Sequence, residues 1–477
     1  MEREFELADG FENAARDAAD SQGWLDLFSR DHVAATATVS LGVALFAFNE
    51  FFVATALPSA IGELGGARLI SWAFTFFLVF AIVGGLAAAN LKARLGARNA
   101  LIGSALVFLA GSAVTVVAPN MPVLVFGRAL QGLGEGIVAA ICYALIPVLF
   151  PARLVQKVFG FEAVVWAVAA FGGPLVAGIM TDLVSWRAAF ALNIAMGGIF
   201  LALVPFAVAR GGQAEVAEAV PTLRLVLVAA GILVISSAAT AHPWLAIALF
   251  VVAVPLLLLS FQLDRNRADA ILPAAAFRLH DLVGAGLWVV LLMPLAQAAG
   301  AVFMVFGFQS LWGLGATMAG ALAATFAVTW SLSAILVASV LPEPARLRAV
   351  AIGPVLLTGG MVAACLGIWL GEIALVVTGQ AAMGLGFGIN WGPLCELLMV
   401  RASPADRDRT SAMLPTLQTT GYAIGAATFG LVANLAGFAE PGDTESIRAG
   451  IVAAYASAAL VAIVSVVYAR RLLRLAQ

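Results

Sequence analysis

The chain has 477 residues, of which 62% are hydrophobic and 11% charged, whereas a soluble domain carries about 25% charged residues. A water-soluble protein of this length could not cover so much apolar surface, so the excess is expected to face lipid. The 25 Lys and Arg residues nearly balance 27 Asp and Glu residues, for a net charge of -2, which gives no reason to expect a nucleic-acid partner.

The N-terminal segment, residues 1–31, is acidic, with nine Asp and Glu residues against three Arg residues. A signal peptide needs a basic start followed by an apolar stretch, so this segment is interpreted as a cytoplasmic extension. Trp24, Leu25, Leu27 and Phe28 are the apolar residues of a short helix lying at the membrane surface, with an unstructured tail as the alternative.

Fourteen apolar segments are each close to the roughly 20 residues that a helix needs to cross a bilayer. The six that precede residue 210 are His32–Leu57, Ile70–Leu91, Ala97–Ala118, Pro122–Phe150, Val158–Met180 and Ala188–Ala209. Two shorter candidates, Leu223–Ala239 and Trp244–Leu263, lie in the middle of the chain. The last six are Leu282–Leu311, Ala316–Leu341, Ala349–Leu370, Glu372–Val400, Thr410–Gly437 and Ile447–Tyr468. The expected fold is an all-α polytopic membrane protein with two six-helix bundles, residues 32–209 and 282–477, joined by a linker, residues 210–281, with two extra transmembrane helices.

The basic residues predict the orientation of these segments. With both termini in the cytoplasm, Arg68, Arg187 and Arg448 lie outside, Arg128 lies within the membrane, and the other 21 Lys and Arg residues lie inside. This asymmetry is typical of a correctly counted set of spans. Only two residues of the chain are Lys while Ala and Gly abound, which suggests a GC-rich bacterial genome and therefore the bacterial cytoplasmic (inner) membrane.

An internal repeat relates the two bundles. Residues 127–137 and 379–389 are identical at seven of eleven positions, at an offset of 252 residues. The same offset carries Gly173 and Gly178 onto Gly425 and Gly430. Two homologous bundles in the same orientation are the parallel-repeat plan of transporters that place the substrate site between their halves.

At these motifs the sequence resembles the major facilitator superfamily, and within it the fourteen-span drug:proton antiporter branch. The residues that carry the resemblance are Arg128, Gln131, Gly132 and Gly134 in the fourth span, Gly173, Pro174 and Gly178 in the fifth, Trp186, Arg187, Phe190 and Asn193 at the start of the sixth, and Ala56, Leu57 and Pro58 in the first. The resemblance implies a transporter fold, and its fifth-span motif is typical of exporters.

The sequence departs from that family at two positions. The loop after the second span carries Ala93 where the family has Asp, although Arg94, Gly96 and Arg98 are retained. Glu162, near the cytoplasmic end of the fifth span, is a hypothetical replacement partner for Arg94.

In the first span, Asn49 stands where the family has Asp, with Glu50 beside it. The gate and motif residues that the resemblance selects are Arg94, Gly96, Arg98, Gly173, Pro174 and Gly178, and we add Glu162 and Glu396 as acids near the cytoplasmic boundary.

Five ionisable side chains lie at membrane depth, where each costs a few kcal/mol and needs a partner or a purpose. They are Glu50, Arg128, Glu135, Glu162 and Glu396. Arg128, Gln131 and Glu135 share one helical stripe, since 3.6 residues make one turn. Glu50 and Arg128 are both about 10 Å below the outer end of their spans, which predicts that they face each other.

Glu50, Arg128 and Glu135 are the candidates for proton coupling. A carboxylate that moves between an apolar surround and a guanidinium can load and release a proton. A fixed ion pair that stabilises the bundle is the alternative for Glu50 and Glu135, and it is the favoured interpretation for Glu162 and Glu396. The proton-coupling hypothesis requires Glu50 and Glu135 to line a water-accessible crevice.

Aromatic and amide residues near mid-span are the candidates for binding substrate. They are Asn49, Phe52, Gln131, Trp166, Gln297, Trp330, Asn390, Trp391 and Tyr422. An apolar pocket with few polar anchors suits a lipophilic molecule, and several acids against one Arg favour a neutral or cationic one. For each aromatic side chain, simple helix packing is the alternative interpretation.

The sequence therefore predicts a proton-coupled exporter of a lipophilic small molecule that functions as a monomer in the lipid bilayer, with no cofactor. Proton-coupled uptake of a nutrient uses the same fold and remains open, as does a non-transporting membrane sensor. Neither a nucleophile beside a base nor a Walker-type phosphate loop occurs, so an enzyme or an ATP-driven pump is not expected. Cys142, Cys365 and Cys395 share no ligand spacing, which predicts no disulfide framework and no metal site.

Overall fold

The structure is a computed structural model that describes residues 24–209, 222–239, 241–264, 273, 275–340, 342–403, 407–438 and 443–476. Within these residues the chain is helical, apart from turns and connecting loops. The first six helices are α1 (Val33–Leu64), α2 (Ile70–Leu95), α3 (Ala97–Val116), α4 (Met121–Leu149), α5 (Ala152–Leu183) and α6 (Trp186–Ala207). A pair in the middle of the chain comprises α7 (Thr222–Ala238) and α8 (Pro243–Asp264). The remaining helices are α9 (Leu282–Trp312), α10 (Ala316–Ala323), α11 (Thr325–Val340), α12 (Glu343–Leu370), α13 (Ile373–Arg401), α14 (Arg407–Leu435) and α15 (Thr444–Ala476).

Short polar and glycine signals set the helix ends. The Asn120 side chain accepts a hydrogen bond from the Val123 backbone N–H at 3.0 Å and so begins α4, while Asp281 does the same for α9 from Val283 at 2.8 Å. Gly96 and Gly371 end α2 and α12 with positive φ angles of 77° and 78°, a conformation that glycine adopts without strain.

Twelve segments of the described chain are long and apolar enough to cross a membrane. Two predicted spans are helices that do not meet these criteria. Helix α7 has only 17 residues, and α14 begins with Arg407 and carries many polar side chains. Helix α14 packs against α2, α7, α9 and α15, so protein surrounds this helix on several sides. The all-helical fold is confirmed with twelve candidate spans, and the predicted number of fourteen is not shown.

The packing of the two bundles repeats as their sequences do. Helix α4 packs against α2 and α3, and α13 packs against α11 and α12. A Cβ atom added at Gly132 would fall on the carbonyl oxygen of Phe77 in α2, and one added at Gly384 would fall on that of Phe326 in α11. Glycine is required at both positions because the helix backbones touch there.

The helix pair α7–α8 lies beside the junction of the two bundles. Helix α7 packs against α2 of the first bundle and α14 of the second. The Trp72 indole donates a hydrogen bond to the Ser236 carbonyl at 2.7 Å, which fixes the C-terminal end of α7 beside the start of α2. Helix α8 is the least buried candidate span of the described chain.

The start of the described chain packs onto one end of the first bundle. Asp26–Phe28 forms a 3-10 turn in which Leu27 is fully buried. The Thr36 hydroxyl donates to the Leu27 carbonyl at 2.8 Å, and the Phe28 ring packs edge-on against Phe161 at 5.5 Å. Residues 24–28 thus form a short helical segment in which Leu27 is buried while Trp24, Leu25 and Phe28 are exposed, and its position at the membrane surface stays a prediction. Residues 1–23 of the predicted extension lie outside the described residues.

Candidate functional site

A buried polar network occupies the middle of the first bundle. Arg128, Gln131 and Glu135 lie on one face of α4, and each is exposed by 1% or less. The i, i+3 and i+7 spacing places their side chains in a row along the helix. The conformation buries all three inside protein rather than against lipid.

Asn49 of α1 is the centre of this network. Its side-chain amide donates a hydrogen bond to Glu135 Oε2 at 2.9 Å. Its carbonyl oxygen accepts hydrogen bonds from Arg128 Nη1 at 3.0 Å and from the Asn193 amide of α6 at 3.1 Å. One amide therefore bridges a buried cation and a buried acid, which themselves have no ion pair closer than 4 Å.

The Arg128 guanidinium is held by further contacts. Its Nε donates to the Ala73 carbonyl of α2 at 3.0 Å, and Nη1 also donates to Gln131 Oε1 at 2.8 Å. The Phe77 ring lies 4.1 Å from the guanidinium carbon, a distance at which the ring face attracts a cation. Gln131 in turn donates to the Ser112 hydroxyl of α3 at 2.9 Å. Arg128 is thus immobilised by direct contacts to α1 and α2, and through Gln131 it is linked to α3.

Glu135 has one oxygen that is left without a partner. Its Oε1 atom is buried and accepts no hydrogen bond, whereas Oε2 is bound by Asn49. A buried carboxylate oxygen without a donor is costly, and a proton on that oxygen removes the charge. This arrangement suits an acid that takes up a proton when the site is closed to water.

Glu50 and Arg128, which the sequence predicts to face each other, lie close enough to interact electrostatically but form no ion pair within 4 Å. Arg128 is bound instead by Asn49, the neighbour of Glu50 in sequence. Glu50 is half-buried, and it lies close enough to Arg128, Glu135 and Tyr422 to interact with each electrostatically. Because Tyr422 belongs to α14, Glu50 faces the junction of the two bundles.

The expected water-accessible crevice at Glu135 is absent from this conformation. Glu135 has no exposed surface, and Asn49 beside it has none either. Glu50, by contrast, retains partial exposure. Only a rearrangement of the helices around α4 would bring water to Glu135, because its neighbours close the site on every side described.

The hypothetical pair of Arg94 and Glu162 is also wrong. Glu162 accepts a hydrogen bond from the Ser40 hydroxyl at 2.8 Å and is 2% exposed, while its other oxygen has no partner. Arg94 is exposed in the last turn of α2, which is capped by Gly96, and Arg98, the second residue of α3, is half-buried. Burial of Glu162 among α1, α4 and α5 separates it from that loop.

The glycine and proline motif of α5 lies at the junction of the two bundles. A Cβ atom at Gly178 would come within 2.5 Å of the Thr317 Cα atom in α10, and one at Gly320 would come within 3.0 Å of the Pro174 carbonyl. Gly173 packs against Phe51 of α1. These residues let α5 approach α1 and α10 at van der Waals distance.

Asp182 strengthens the same contact. Its carboxylate accepts hydrogen bonds from the backbone N–H groups of Ala316 at 2.9 Å and Thr317 at 2.8 Å, and from the Thr317 hydroxyl at 2.6 Å. An acid at a helix N-terminus satisfies free N–H groups and interacts favourably with the helix dipole. An acidic residue at the end of a span is unremarkable in sequence, so no signal selected Asp182.

Direct hydrogen bonds between the two bundles are found at one end of the molecule in the described chain. Besides those of Asp182, the Gln309 amide donates to the Thr55 carbonyl at 3.2 Å, and the Asn434 amide donates to the Arg68 carbonyl at 3.0 Å. All of these residues lie near the ends of helices that the basic residues predict to be external. The bundles are therefore joined at that end.

Most aromatic candidates for substrate binding pack against other rings. Trp330 lies 5.6 Å from Phe326 and 5.2 Å from Phe387, in a three-ring cluster between α11 and α13. Phe52 and Trp166 each have a ring neighbour in α1, Phe48 at 5.5 Å and Phe46 at 6.0 Å. Trp391 packs against the main apolar core. Tyr422, at the bundle junction, lies close enough to Glu50 to interact with it electrostatically.

The amide candidates of the second bundle make structural contacts. Asn390 donates to the Val350 carbonyl of α12 at 2.7 Å, and Gln297 is buried in α9. Glu396 is exposed and forms an ion pair with Arg346 at 3.2 Å. The repeat places Gln380, Met383 and Phe387 at the positions of Arg128, Gln131 and Glu135, so the charged network belongs to the first bundle alone. Among the described residues there is no His, Cys, Asp and Glu cluster that could hold a metal ion.

Comparisons with known proteins agree with this architecture. The family model of the Major Facilitator Superfamily matches residues 39–277. A probable multidrug-efflux transporter of Mycobacterium tuberculosis is 31% identical over 462 residues, which cover 92% of this chain and 97% of that protein. The chain belongs to the major facilitator superfamily. It is a membrane transporter for small molecules and not an enzyme.

Shorter matches and solved structures extend the comparison. Multidrug resistance protein 3 of Bacillus subtilis is 30% identical over 161 residues, which cover 34% of this chain and 31% of that protein. The crystal structure of the POT family transporter PepTSo covers 92% of this chain and 98% of its own, with a TM-score of 0.65 and 16% identity. A bacterial homologue of the human lysosomal transporter Spinster covers 94% and 98%, with a TM-score of 0.65 and 13% identity. At these identities the solved structures show the fold alone.

Proposed function

We propose that the protein exports a lipophilic neutral or cationic small molecule in exchange for protons, and that Glu135 binds the proton. The buried contact between Glu135, Asn49 and Arg128 is the observation that carries this proposal. A charged network at membrane depth is costly to keep without a purpose. The Mycobacterium tuberculosis relative, named as a probable multidrug-efflux transporter, supports the direction of transport and the substrate class.

Proton exchange at Glu135 follows from the two environments that this acid would meet. In the closed site its Oε1 atom has no donor, which favours a protonated, neutral acid. In a conformation that opens the network to water, solvent and the Arg128 charge both favour the carboxylate. The acid therefore takes up a proton on closing and releases it on opening.

Glu50 is the residue that would sense substrate. It is half-buried at the junction between the bundles and lies near the Tyr422 ring. An acid beside an aromatic ring suits a lipophilic cation. Because Glu50 and Glu135 also interact electrostatically, a cation beside Glu50 weakens proton binding at Glu135. Competition of this kind couples the binding of one cation to the release of one proton, although the cation and the proton bind to different carboxylates.

Alternating access would use the junction at which the bundles are joined. With both termini in the cytoplasm, the end closed by Asp182, Gln309 and Asn434 is external, so this conformation is closed to the outside. The proposal includes α7 and α14 among fourteen spanning helices in a bacterial cytoplasmic membrane. Helix α7 packs along α2 and α14, which supports a transmembrane position despite its short length.

Transport of ethidium, a lipophilic cation, tests this function in liposomes that contain the purified protein. An imposed pH gradient with an acidic lumen should drive ethidium into the lumen if ethidium and protons exchange. The reverse gradient should drive ethidium out. Net movement of ethidium with the protons would instead indicate uptake, the other direction that this fold supports.

The variants Glu135→Gln and Glu396→Gln separate proton coupling from folding. Gln at position 135 retains an oxygen that accepts from Asn49, so the protein should fold but lose flux driven by the pH gradient. Exchange of ethidium at equal concentrations should persist. Glu396 is exposed and paired with Arg346, so its variant should transport like wild type. Normal gradient-driven transport by Glu135→Gln would remove Glu135 from the mechanism.

A further inference from the structure

A cavity outside the polar network lies between the helix pair α7–α8 and the junction of the two bundles. Its volume is about 180 Å³, and its walls come from α2, α7, α8, α9 and α14. Fourteen of its nineteen lining residues are apolar, among them Val79, Ala229, Leu257 and Leu417. Nothing in the proposed transport mechanism uses this space.

The cavity is elongated along the helices. On α7 it extends from Arg224 to Ile232, about 12 Å at 1.5 Å per residue, and on α14 from Met413 to Ile424, about 16 Å. The hydrocarbon core of a bilayer is about 30 Å thick, so the cavity is about as long as one leaflet is deep. Its length therefore matches that of a single acyl chain.

One end of the cavity is polar. Arg224, near the start of α7, forms a buried ion pair with Asp264, the last residue of α8, and both line the cavity. The Ser260 hydroxyl beside them donates to the Arg224 carbonyl at 2.8 Å. These residues lie at the end of the α7–α8 pair that the basic residues of the sequence predict to be cytoplasmic. Lipid headgroups lie at the same depth. The opposite end, at Ile232 and Ile424, is apolar.

The volume of the cavity argues against a multi-ring molecule, and its elongated shape suits a segment of a narrow chain that extends out of the cavity. Sites for drug-sized ligands occupy roughly 300–1,000 Å³, whereas an apolar cavity of about 150 Å³ holds a molecule the size of benzene. Lipid is close at hand, because α8 carries exposed apolar side chains such as Val251 and Val252 on its outer face. Hydrocarbon fills such a space more favourably than water does.

We propose that this cavity binds a segment of one acyl chain of a bilayer phospholipid, with its headgroup at the Arg224–Asp264 end. The chain would lie between α2 of the first bundle and α14 of the second. Any movement of one bundle relative to the other changes the shape of this space. A bound chain therefore stabilises the arrangement described here and becomes part of the contact between α7 and the junction.

Photo-crosslinking with a phospholipid tests the proposal on the full-length protein. The protein is placed in nanodiscs that contain phosphatidylethanolamine with a diazirine in one acyl chain, irradiated, digested and mapped by mass spectrometry. Adducts are expected at Met413 and Leu417, which are only 5% and 6% exposed and so are shielded from the surrounding lipid. Adducts at Val251 and Val252 report the ordinary lipid shell and serve as an internal standard.

Variants that fill the cavity provide the control. Ala229→Phe should lower the adducts at Met413 and Leu417 at least about tenfold and leave those at Val251 unchanged. Val228→Phe, at another lining position, should have the same effect and replaces the first variant in the experiment if Ala229→Phe does not fold. Val226→Phe places the same ring on the exposed face of α7 and should change neither signal.

Three results would overturn the proposal. The first is labelling confined to the exposed face of α8. The second is labelling of Met413 and Leu417 that survives Ala229→Phe and Val228→Phe in folded protein. The third is labelling of these residues by the small lipophile adamantyl diazirine in the absence of any lipid adduct, which would assign the cavity to a small molecule.

Discussion

Asn49 donates a hydrogen bond from its side-chain amide to Glu135 Oε2 at 2.9 Å, and so links α1 to the buried acid of α4. The same amide group accepts from Arg128 through its carbonyl oxygen at 3.0 Å. A neutral bridge of this kind keeps the acid and the cation apart while it bonds to one oxygen of Glu135 and one nitrogen of Arg128. The surroundings of Glu135 and of Arg128 can therefore change independently when the helices move.

Removal of this bridge should destabilise the protein. Asn49→Ala leaves Glu135 without its donor and takes one acceptor from Arg128, and an unsatisfied buried polar group costs about 1–3 kcal/mol. The free energy of unfolding in detergent, measured by denaturant titration, should fall by at least that amount. Asn99→Ala removes an exposed amide that donates to the Leu95 carbonyl, and it should cost less than about 0.5 kcal/mol. Equal stability of the two variants would contradict the bridging role.

The sequence predicted the depth of this site better than its contacts. The spacing of Arg128, Gln131 and Glu135 places them on one face of α4, and the structure buries that face. Depth arithmetic placed Glu50 level with Arg128, but consecutive residues on a helix point about 100° apart. Rotation of α1 therefore brings Asn49 to Arg128 and directs Glu50 to the bundle junction. That rotation depends on packing, which a single sequence does not show.

The glycines of α4 should be irreplaceable where helix backbones meet. A Cβ atom at Gly132 would fall on the Phe77 carbonyl oxygen of α2. This clash is with backbone atoms, which cannot move aside as the end of a flexible side chain can. Gly132→Ala should therefore lower the melting temperature sharply or prevent folding, as judged by thermal scanning after size-exclusion chromatography. Gly103→Ala, on the exposed face of α3 with no atom within 4 Å of the added Cβ, should be neutral or stabilise by about 0.5–1 kcal/mol. Equal melting of both variants would refute the close-contact argument.

Hydropathy identifies the helices that face lipid, and it is least able to identify α7 and α14 as spans. The sequence predicts α14 as a span from Thr410, but the polar residues of this helix lower its mean hydropathy. A helix can carry such residues because neighbouring helices, rather than lipid, cover much of its surface. Helix α7, with 17 residues, is short for a span and packs beside α2 and α14. Apolar composition reports contact with lipid and not the crossing itself. Helices inside the bundle are therefore the hardest to count from sequence.

The contact of Asp182 with α10 should hold the external end closed. Asp182→Ala removes three hydrogen bonds that join α5 to α10, so the population open at that end should increase. Spin labels at Val117→Cys and Leu370→Cys, in a background without the three native cysteines, report the separation of the bundles by pulsed electron resonance. Both positions are exposed near that end. The variant should show a longer distance population than the parent.

Asp443→Ala is the matched control for this measurement. Asp443 lies at the same end, but its carboxylate accepts hydrogen bonds from Glu445 and Ser446 within its own bundle. Its removal should leave the distance distribution unchanged. If both variants widen the distribution equally, the effect is general loosening of that end. If neither does, Asp182 is a helix cap without a gating role.

Glu162 should behave as a structural acid rather than a coupling acid. It accepts one hydrogen bond, from Ser40, and its second oxygen is buried without a partner. A neutral amide is less costly to bury than a carboxylate and still accepts from Ser40, so Glu162→Gln should raise or preserve the melting temperature. Ser40→Ala should lower stability by about 1–3 kcal/mol because it leaves the acid with no donor. Replacing both, in Ser40→Ala with Glu162→Leu, should recover most of that loss, since an apolar pair leaves nothing unsatisfied. Ethidium exchange driven by a pH gradient should persist in Glu162→Gln, in contrast to Glu135→Gln. Lost coupling in a stable Glu162→Gln protein would instead make Glu162 a second proton-binding residue.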